Sequence, residues 1–176
     1  SVNWLSVPFT RFTTRVIMSL NAEKIALAEQ QQHGNGVFPL IYGAENPTSQ
    51  DAISDWIAGH SDQLVDELSV HGAILFRGFG VRDDLGFDAF VRAFHLPSFT
   101  YSDSLSNAVR RNRTQLVFTA NEAPADVSIF LHHEMAQTPV YPSKLFFYCE
   151  QSAESGGATP ICRSDTFLER LAIEVP

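Results

Sequence analysis

Residues 131–163 read LHHEMAQTPVYPSKLFFYCEQSAESGGATPICR, and this stretch decides the fold. Two short apolar runs within it, 144–150 and 159–163, are separated by the turn-forming Ser155-Gly156-Gly157. Two similar runs, 115–119 and 128–131, come shortly before them. Four short strands in succession favour an antiparallel sheet or barrel for this part of the chain.

Upstream of these runs the pattern is mainly helical. We expect helices at 20–32, at 49–69 and from Asp83 or Asp84 onward, and strands at 37–42 and 73–76. Ser49 is a good N-cap for the second helix, and Pro39 places the first strand at a sheet edge because proline has no amide hydrogen to donate. Ser164 or Asp165 is the expected N-cap of a last helix. The predicted class is therefore α+β, with helices flanking the sheet on its N-terminal side.

The amino-acid composition limits the kinds of partner that this chain is expected to bind. The chain has 176 residues, 44% of them hydrophobic, and a net charge of −8, which argues against a nucleic-acid partner because phosphates need a basic face. No apolar run approaches the roughly 20 residues that cross a bilayer. We interpret the short basic cluster at 110–113 as a solvated loop, and Cys149 and Cys162 as buried free thiols.

The first 17 residues contain two arginines and no acidic residue. That composition fits a transit segment or a non-native leader, so we separate residues 1–17 from a single domain at 18–176. The expected location is cytoplasmic, or organellar if residues 1–17 are a transit segment.

The chemistry is concentrated in His132-His133-Glu134. On a strand, side chains at i and i+2 point to the same face, so His132 and Glu134 would converge while His133 points away. One imidazole and one carboxylate are two of the three ligands in the facial triad of non-haem Fe(II) oxygenases. A zincin helix is excluded because Gln137 stands where its second His would be. Taken alone, the pair would more often be two surface side chains.

The neighbouring motifs favour the metal. His132-His133-Glu134-Met135, Tyr141-Pro142 and Gly156-Gly157-Ala158-Thr159-Pro160, together with an upstream strand at 72–79, resemble the TauD-like Fe(II)/2-oxoglutarate dioxygenases. The similarity is greatest to the clavaminate-synthase and amino-acid hydroxylase branch. It implies a double-stranded β-helix, or jelly roll, and the cofactors Fe(II), 2-oxoglutarate and O2.

The resemblance also implies roles for particular residues. His132 and Glu134 would be catalytic metal ligands, and Thr159 would hydrogen-bond the carboxylate of 2-oxoglutarate. Thr119, Asn121 and Glu122 would line the substrate pocket, where the last two could meet an amine or amide of an amino-acid-like molecule. Related halogenases replace the carboxylate at position 134, so Glu134 implies hydroxylation or desaturation of a small metabolite.

The third iron ligand of this family is a downstream His, followed by an Arg that pairs with 2-oxoglutarate. No residue here matches either, because every histidine outside the motif precedes it and no His followed by an Arg comes after Glu134. We therefore expect the chain to be the N-terminal portion of a truncated dioxygenase domain. The alternative is a short, non-catalytic jelly-roll relative that binds a metal, a ligand or a partner, and homo-oligomerisation stays open in both cases.

Overall fold

The computed structural model describes residues 19–34, 36–45, 49–99, 110–120, 122, 124 and 127–175, so the leader expected at 1–17 lies outside it. Helices and strands both occur, as the sequence predicts. In chain order the elements are β1 (Ala22–Lys24), β2 (Gln31–His33), β3 (Gly36–Phe38), β4 (Leu40–Ala44), α1 (Gln50–His71), β5 (Ile74–Arg77), α2 (Asp84–Arg92) and α3 (Ser164–Glu174).

The strands form a three-stranded sheet and a separate hairpin. In the sheet, β4 lies in the centre, antiparallel to β1 and parallel to β5. The register of the parallel pair sets Leu40 opposite Ile74 and Tyr42 opposite Phe76. β2 and β3 pair antiparallel as the hairpin. The sheet and the hairpin thus both lie in the first half of the chain.

Helix α1 connects the parallel strands β4 and β5, and the sequence predicts it well. Its N-cap is Ser49, whose Oγ accepts a hydrogen bond of 3.3 Å from the Ala52 amide. It ends at Gly72, whose amide donates to the Leu68 carbonyl at 2.8 Å. A parallel pair needs such a crossover, and α1 buries its apolar stripe against the sheet.

The core lies between α1, the sheet and α2. Phe76 and Phe79 pack edge to face with centroids 5.2 Å apart, and Phe90 of α2 meets Phe76 in the same way at 5.1 Å. Aromatic pairs at these distances prefer this arrangement. The members of this hydrophobic cluster are Leu20, Leu40, Tyr42, Ile53, Ile57, Leu64, Phe79, Phe90, Ala93 and Phe94.

The helix predicted at 20–32 is wrong. β1 and β2 occupy that segment, and the Gln30 side chain fixes the turn between them by accepting from the Leu27 amide and donating to the Pro39 carbonyl, each at 2.8 Å. Local helix propensity is weak and gives way to pairing with β4. The edge position of 37–42 is also wrong, because Pro39 falls between β3 and β4 and leaves β4 free to be central.

The four strands predicted between 115 and 163 do not form among the described residues. The only pairing there is an isolated bridge between Asn112 and Phe118. Several of their large apolar side chains are exposed, with Phe130 83% and Phe147 72% accessible, although Val117 is buried and Phe146 packs against the core. A strand is stabilised by a ladder partner, and no described segment supplies one. The described residues therefore hold a small mixed sheet rather than a complete jelly roll.

Two smaller expectations concern the thiols and the membrane. Cys149 and Cys162 are free, as predicted, but they are exposed rather than buried, because the strands that would cover them are not formed. None of the described helices combines the length and the apolar character that a bilayer-spanning helix requires.

Candidate functional site

The structure brings His132 and Glu134 together. Nε2 of His132 lies 3.9 Å from Oε2 of Glu134. The carboxylate is well covered, with 16% of its side chain accessible, whereas the imidazole is 59% accessible. The Glu134 carboxylate is therefore packed within the protein, whereas the His132 imidazole faces solvent.

A turn, and not a strand, sets this geometry. Residues 131–133 are irregular, and residues 134–137 form a turn in which Met135 has a positive φ of 57° and is almost fully buried. The buried Thr138 closes the turn, since its amide and its hydroxyl lie 3.0 and 2.9 Å from the Met135 carbonyl. His132 and Glu134 are therefore close because of this turn and not because of the alternation of side chains along a strand.

The two ring nitrogens of His132 have different environments. Nδ1 lies 2.7 Å from the carbonyl oxygen of Phe130. A carbonyl can only accept, so Nδ1 carries a hydrogen, and in the neutral tautomer Nε2 is the nitrogen available to bind a metal. Histidines that bind metals in proteins are usually oriented by such a backbone bond.

His133 is directed elsewhere. Its Nε2 lies 2.7 Å from Oγ of Ser164, the first residue of α3. The adjacent histidines therefore have separate partners, one beside the carboxylate and one at the start of a helix.

Arg110 contacts the same carboxylate and was missed by the sequence interpretation. Its Nη2 lies 3.0 Å from Oε1 of Glu134, and only 18% of its side chain is accessible. The basic cluster at 110–113 was interpreted as a solvated loop, which does not describe Arg110. No spacing rule connects residues 24 positions apart, so the sequence holds no local signal for this contact.

The residues expected to line the substrate pocket cluster around Arg111. Its amide donates to the hydroxyl of Thr119 at 2.9 Å, and its Nε lies 2.9 Å from a carboxylate oxygen of Glu122. Asn121 lies outside the described residues. Thr119 and Glu122 thus both contact Arg111, the first through a hydrogen bond and the second through an ion pair.

Helix α2 anchors this segment. The buried Asp88 accepts hydrogen bonds from Arg92 on its own helix and from the hydroxyl of Thr114. Burial alone would raise the pKa of Asp88, but these bonds and the Arg92 charge outweigh it and leave the pKa below its usual value. Arg113 adds a bond of 2.6 Å to Asp84. The segment that carries Arg110 and Thr119 is therefore fixed to the core.

Thr159 is exposed, and within the described residues no hydrogen bond joins it to His132 or Glu134. The two glycines before it adopt positive φ of 66° each, and a Cβ on Gly157 would lie 2.7 Å from that of Ala153. This tight turn matches the reason for which glycine was expected there.

His132 and Glu134 are chemically suited to a divalent metal such as iron. Two donors that each lie about 2.1 Å from one ion at a right angle are about 3.0 Å apart, so a small rotation of the exposed imidazole would bring both into range. In the part of the chain that the structure describes, no group of three His, Cys, Asp or Glu side chains converges on one point. The described residues thus supply two donors.

Comparison with known proteins identifies relatives of this sequence. A family model described as "Taurine catabolism dioxygenase TauD, TfdA family" matches residues 34–176. A clavaminate synthase-like protein of Arabidopsis thaliana is 46% identical over 105 residues, which are 60% of this chain and 31% of that protein. The dapdiamide synthesis protein DdaC of Enterobacter agglomerans is 34% identical over 150 residues, 81% of this chain and 44% of the relative. The chain spans less than half the length of either.

Proposed function

The chain belongs to the "Taurine catabolism dioxygenase TauD, TfdA family", and on that basis we propose that it functions as an Fe(II)- and 2-oxoglutarate-dependent dioxygenase. The proposed reaction is hydroxylation or desaturation of a small metabolite. An amino-acid-like substrate is proposed because its amine could pair with the carboxylate of Glu122. The proposed complete fold is the jelly roll of this family.

In this proposal His132 and Glu134 bind the iron. When bound, the metal and 2-oxoglutarate activate dioxygen, with loss of the co-substrate as succinate and CO2. His132 presents the lone pair of Nε2 because its Nδ1 donates to the Phe130 carbonyl, and Glu134 contributes Oε2. The carboxylate side of the pair is shielded from water by the protein, and the imidazole side stays open to solvent.

The observation that carries the proposal is the proximity of His132 and Glu134. Nε2 of the imidazole lies 3.9 Å from Oε2 of the carboxylate, and the carbonyl of Phe130 orients the ring through Nδ1. Metal-binding histidines are commonly oriented through their other ring nitrogen in this way, so the pair supplies two donors that one ion could share.

The remaining roles follow from the family. Thr159 would hydrogen-bond a carboxylate of 2-oxoglutarate through its exposed hydroxyl. Glu122, with Asn121 and Thr119 beside it, would receive an amino group of the substrate. The pair that Glu122 forms with Arg111 is largely exposed on the Arg111 side, so a substrate ammonium is able to replace that guanidinium at low cost.

Anaerobic titration with Fe(II) and 2-oxoglutarate tests the function. Because the described residues supply two metal donors, the test uses this sequence within a protein of its relatives' full length. We expect that protein to show a metal-to-ligand charge-transfer band in the visible spectrum and to lose it on His132→Ala. Failure to bind Fe(II) would refute the proposed site. Binding of Fe(II) without the band would refute the dioxygenase function and favour a non-catalytic metal-binding relative.

A further inference from the structure

Arg110 and Glu134 form an ion pair that is largely withdrawn from water. Nη2 and Oε1 are 3.0 Å apart, and the two side chains are 18% and 16% accessible. Ion pairs at full exposure contribute little because solvent screens them, whereas a covered, hydrogen-bonded pair holds its geometry more firmly. The contact therefore restricts how the Glu134 carboxylate can rotate.

The two oxygens of that carboxylate are directed differently. Oε1 meets the guanidinium, and Oε2 is the oxygen that lies 3.9 Å from Nε2 of His132. A carboxylate with both oxygens open can bind a metal through one or both of them, and the choice changes the coordination number. Engagement of Oε1 by Arg110 therefore orients the carboxylate with Oε2 on the side of His132.

We propose that Arg110 is a positioning residue that holds Oε1 of Glu134 and thereby orients the carboxylate, with Oε2 on the side of His132, for the metal. This inference rests on the proposed function, since it assumes that Glu134 is a ligand. Arg110 does not touch the metal, and its effect passes entirely through the carboxylate.

The fold supplies the rigidity that such a role needs. Residues 111–119 form a small loop in which the Thr119 amide donates to the Arg111 carbonyl at 2.9 Å and the Arg113 amide donates to the Val117 carbonyl at 2.8 Å. The loop is tied to α2 through Thr114 and the buried Asp88. Arg110 thus projects from an anchored loop toward the turn that carries Glu134.

Substitution of Arg110 by Met tests the inference, because Met retains a long apolar stem and removes the guanidinium. Anaerobic titration with Co(II) reports both the dissociation constant and, through the visible absorption of the bound ion, the coordination number. We expect Arg110→Met to weaken Co(II) binding by about 10- to 100-fold, the usual effect of losing a hydrogen-bond partner of a ligand. The visible spectrum should also shift as Glu134 binds through both oxygens.

Arg113→Met is the matched control. It removes the same charge from the same loop and breaks an ion pair with Asp84, but it leaves Glu134 untouched. We expect Co(II) affinity and spectrum to match the wild type. A loss in Arg113→Met equal to that in Arg110→Met would mean that loop charge or loop anchoring is responsible, and would overturn the inference.

Arg110→Lys separates charge from geometry. Lysine keeps the positive charge but cannot reproduce the planar fork of arginine, so we expect Co(II) affinity between those of Arg110→Met and the wild type. If Arg110→Met does not fold, the test rests on Arg110→Lys alone. Co(II) affinity and a visible spectrum equal to those of the wild type in Arg110→Lys would then overturn the inference. Wild-type protein that binds no Co(II) would refute the proposed function and this inference with it. Wild-type binding with no change in the variants would refute only the role of Arg110.

Discussion

Two adjacent histidines in the motif have different partners, and this difference can be measured. His132 presents Nε2 to Glu134, while His133 contacts the hydroxyl of Ser164. We expect His132→Ala to abolish detectable binding of Fe(II) and His133→Ala to leave the dissociation constant within about threefold of the wild type. Isothermal titration with each variant is the measurement. Equal losses in both variants would contradict the assignment of His132 as the ligand.

The sequence alone predicts only part of the candidate site. The i, i+2 spacing correctly suggests that His132 and Glu134 are close, although a buried turn at Met135 produces the proximity. Arg110 could not be found, because its contact depends on how a distant loop docks on α2. Sequence spacing reports neighbours along the chain, whereas such a contact is a property of tertiary packing.

Within the sheet, Gly78 follows β5 at a point where no side chain fits. It has a φ of +73°, and a Cβ there would lie 2.3 Å from the carbonyl oxygen of Ala44. We expect Gly78→Ala to lower the free energy of unfolding by about 2–4 kcal/mol, from the left-handed backbone and the overlap together. Urea denaturation measures it.

Gly59→Ala is the control for that substitution. Gly59 lies inside α1 with open space around its Cα, so alanine should raise the free energy of unfolding by about 0.5–1 kcal/mol. A loss of stability at both positions would show that the close approach at Gly78 is not the cause.

A polar network joins β1, β4 and α1. The Tyr42 hydroxyl donates to Glu67 at 2.8 Å, Lys24 lies 2.8 Å from the same carboxylate, and Gln63 donates to both Tyr42 and Glu67. Burial, with the hydrogen bond to Glu67 and its charge, raises the pKa of Tyr42 to about 12. Burial acts to raise the pKa of Glu67 as well, but its three hydrogen bonds prevail and hold that pKa below 4.5.

The network makes stability depend on pH in a definite direction. Because the folded-state pKa of Glu67 is depressed, its contribution is fully present above pH 4.5 and is lost as the pH falls through the folded value. We expect Glu67→Gln to lower the free energy of unfolding by about 1–2 kcal/mol at pH 7, and the difference from wild type to shrink toward pH 3. Urea denaturation across that range measures it. The exposed Glu23→Gln in β1 should change stability by less than about 0.5 kcal/mol, and a difference for Glu67→Gln that is constant with pH would contradict the assignment.

Some of the secondary-structure elements can be predicted from local sequence signals, and others cannot. Helices α1 and α2 begin where predicted, since an N-cap such as Ser49 or Asp83 is a local signal. Helix α3 begins earlier than the expected caps Ser164 or Asp165 imply, after Arg163, whose side chain makes no cap bond. The predictions for 20–32 and for the four strands are wrong because a strand is stable only with its partner. For β1 that partner is the remote β4, and for the four expected strands no described segment forms a ladder.

Across the whole molecule, packing is uneven. The core of the sheet, α1 and α2 is buried, whereas no backbone amide described between 139 and 162 donates to another backbone group, and most side chains there are exposed. We expect amide hydrogens in β4 and α1 to exchange most slowly with deuterium and those of 139–162 to exchange within seconds. Hydrogen-exchange mass spectrometry measures this difference, and comparable protection in the two regions would contradict the described packing.

The continuity of β4, α1 and β5 along the chain has a consequence for synthesis. These elements follow one another without interruption from Leu40 to Arg77, so the ribosome releases them as a block before residues 110–134 emerge. Domains generally fold N-terminal part first as they are made. The candidate metal site would therefore assemble late, because Arg110 and then Glu134 emerge after β4, α1 and β5 have been released.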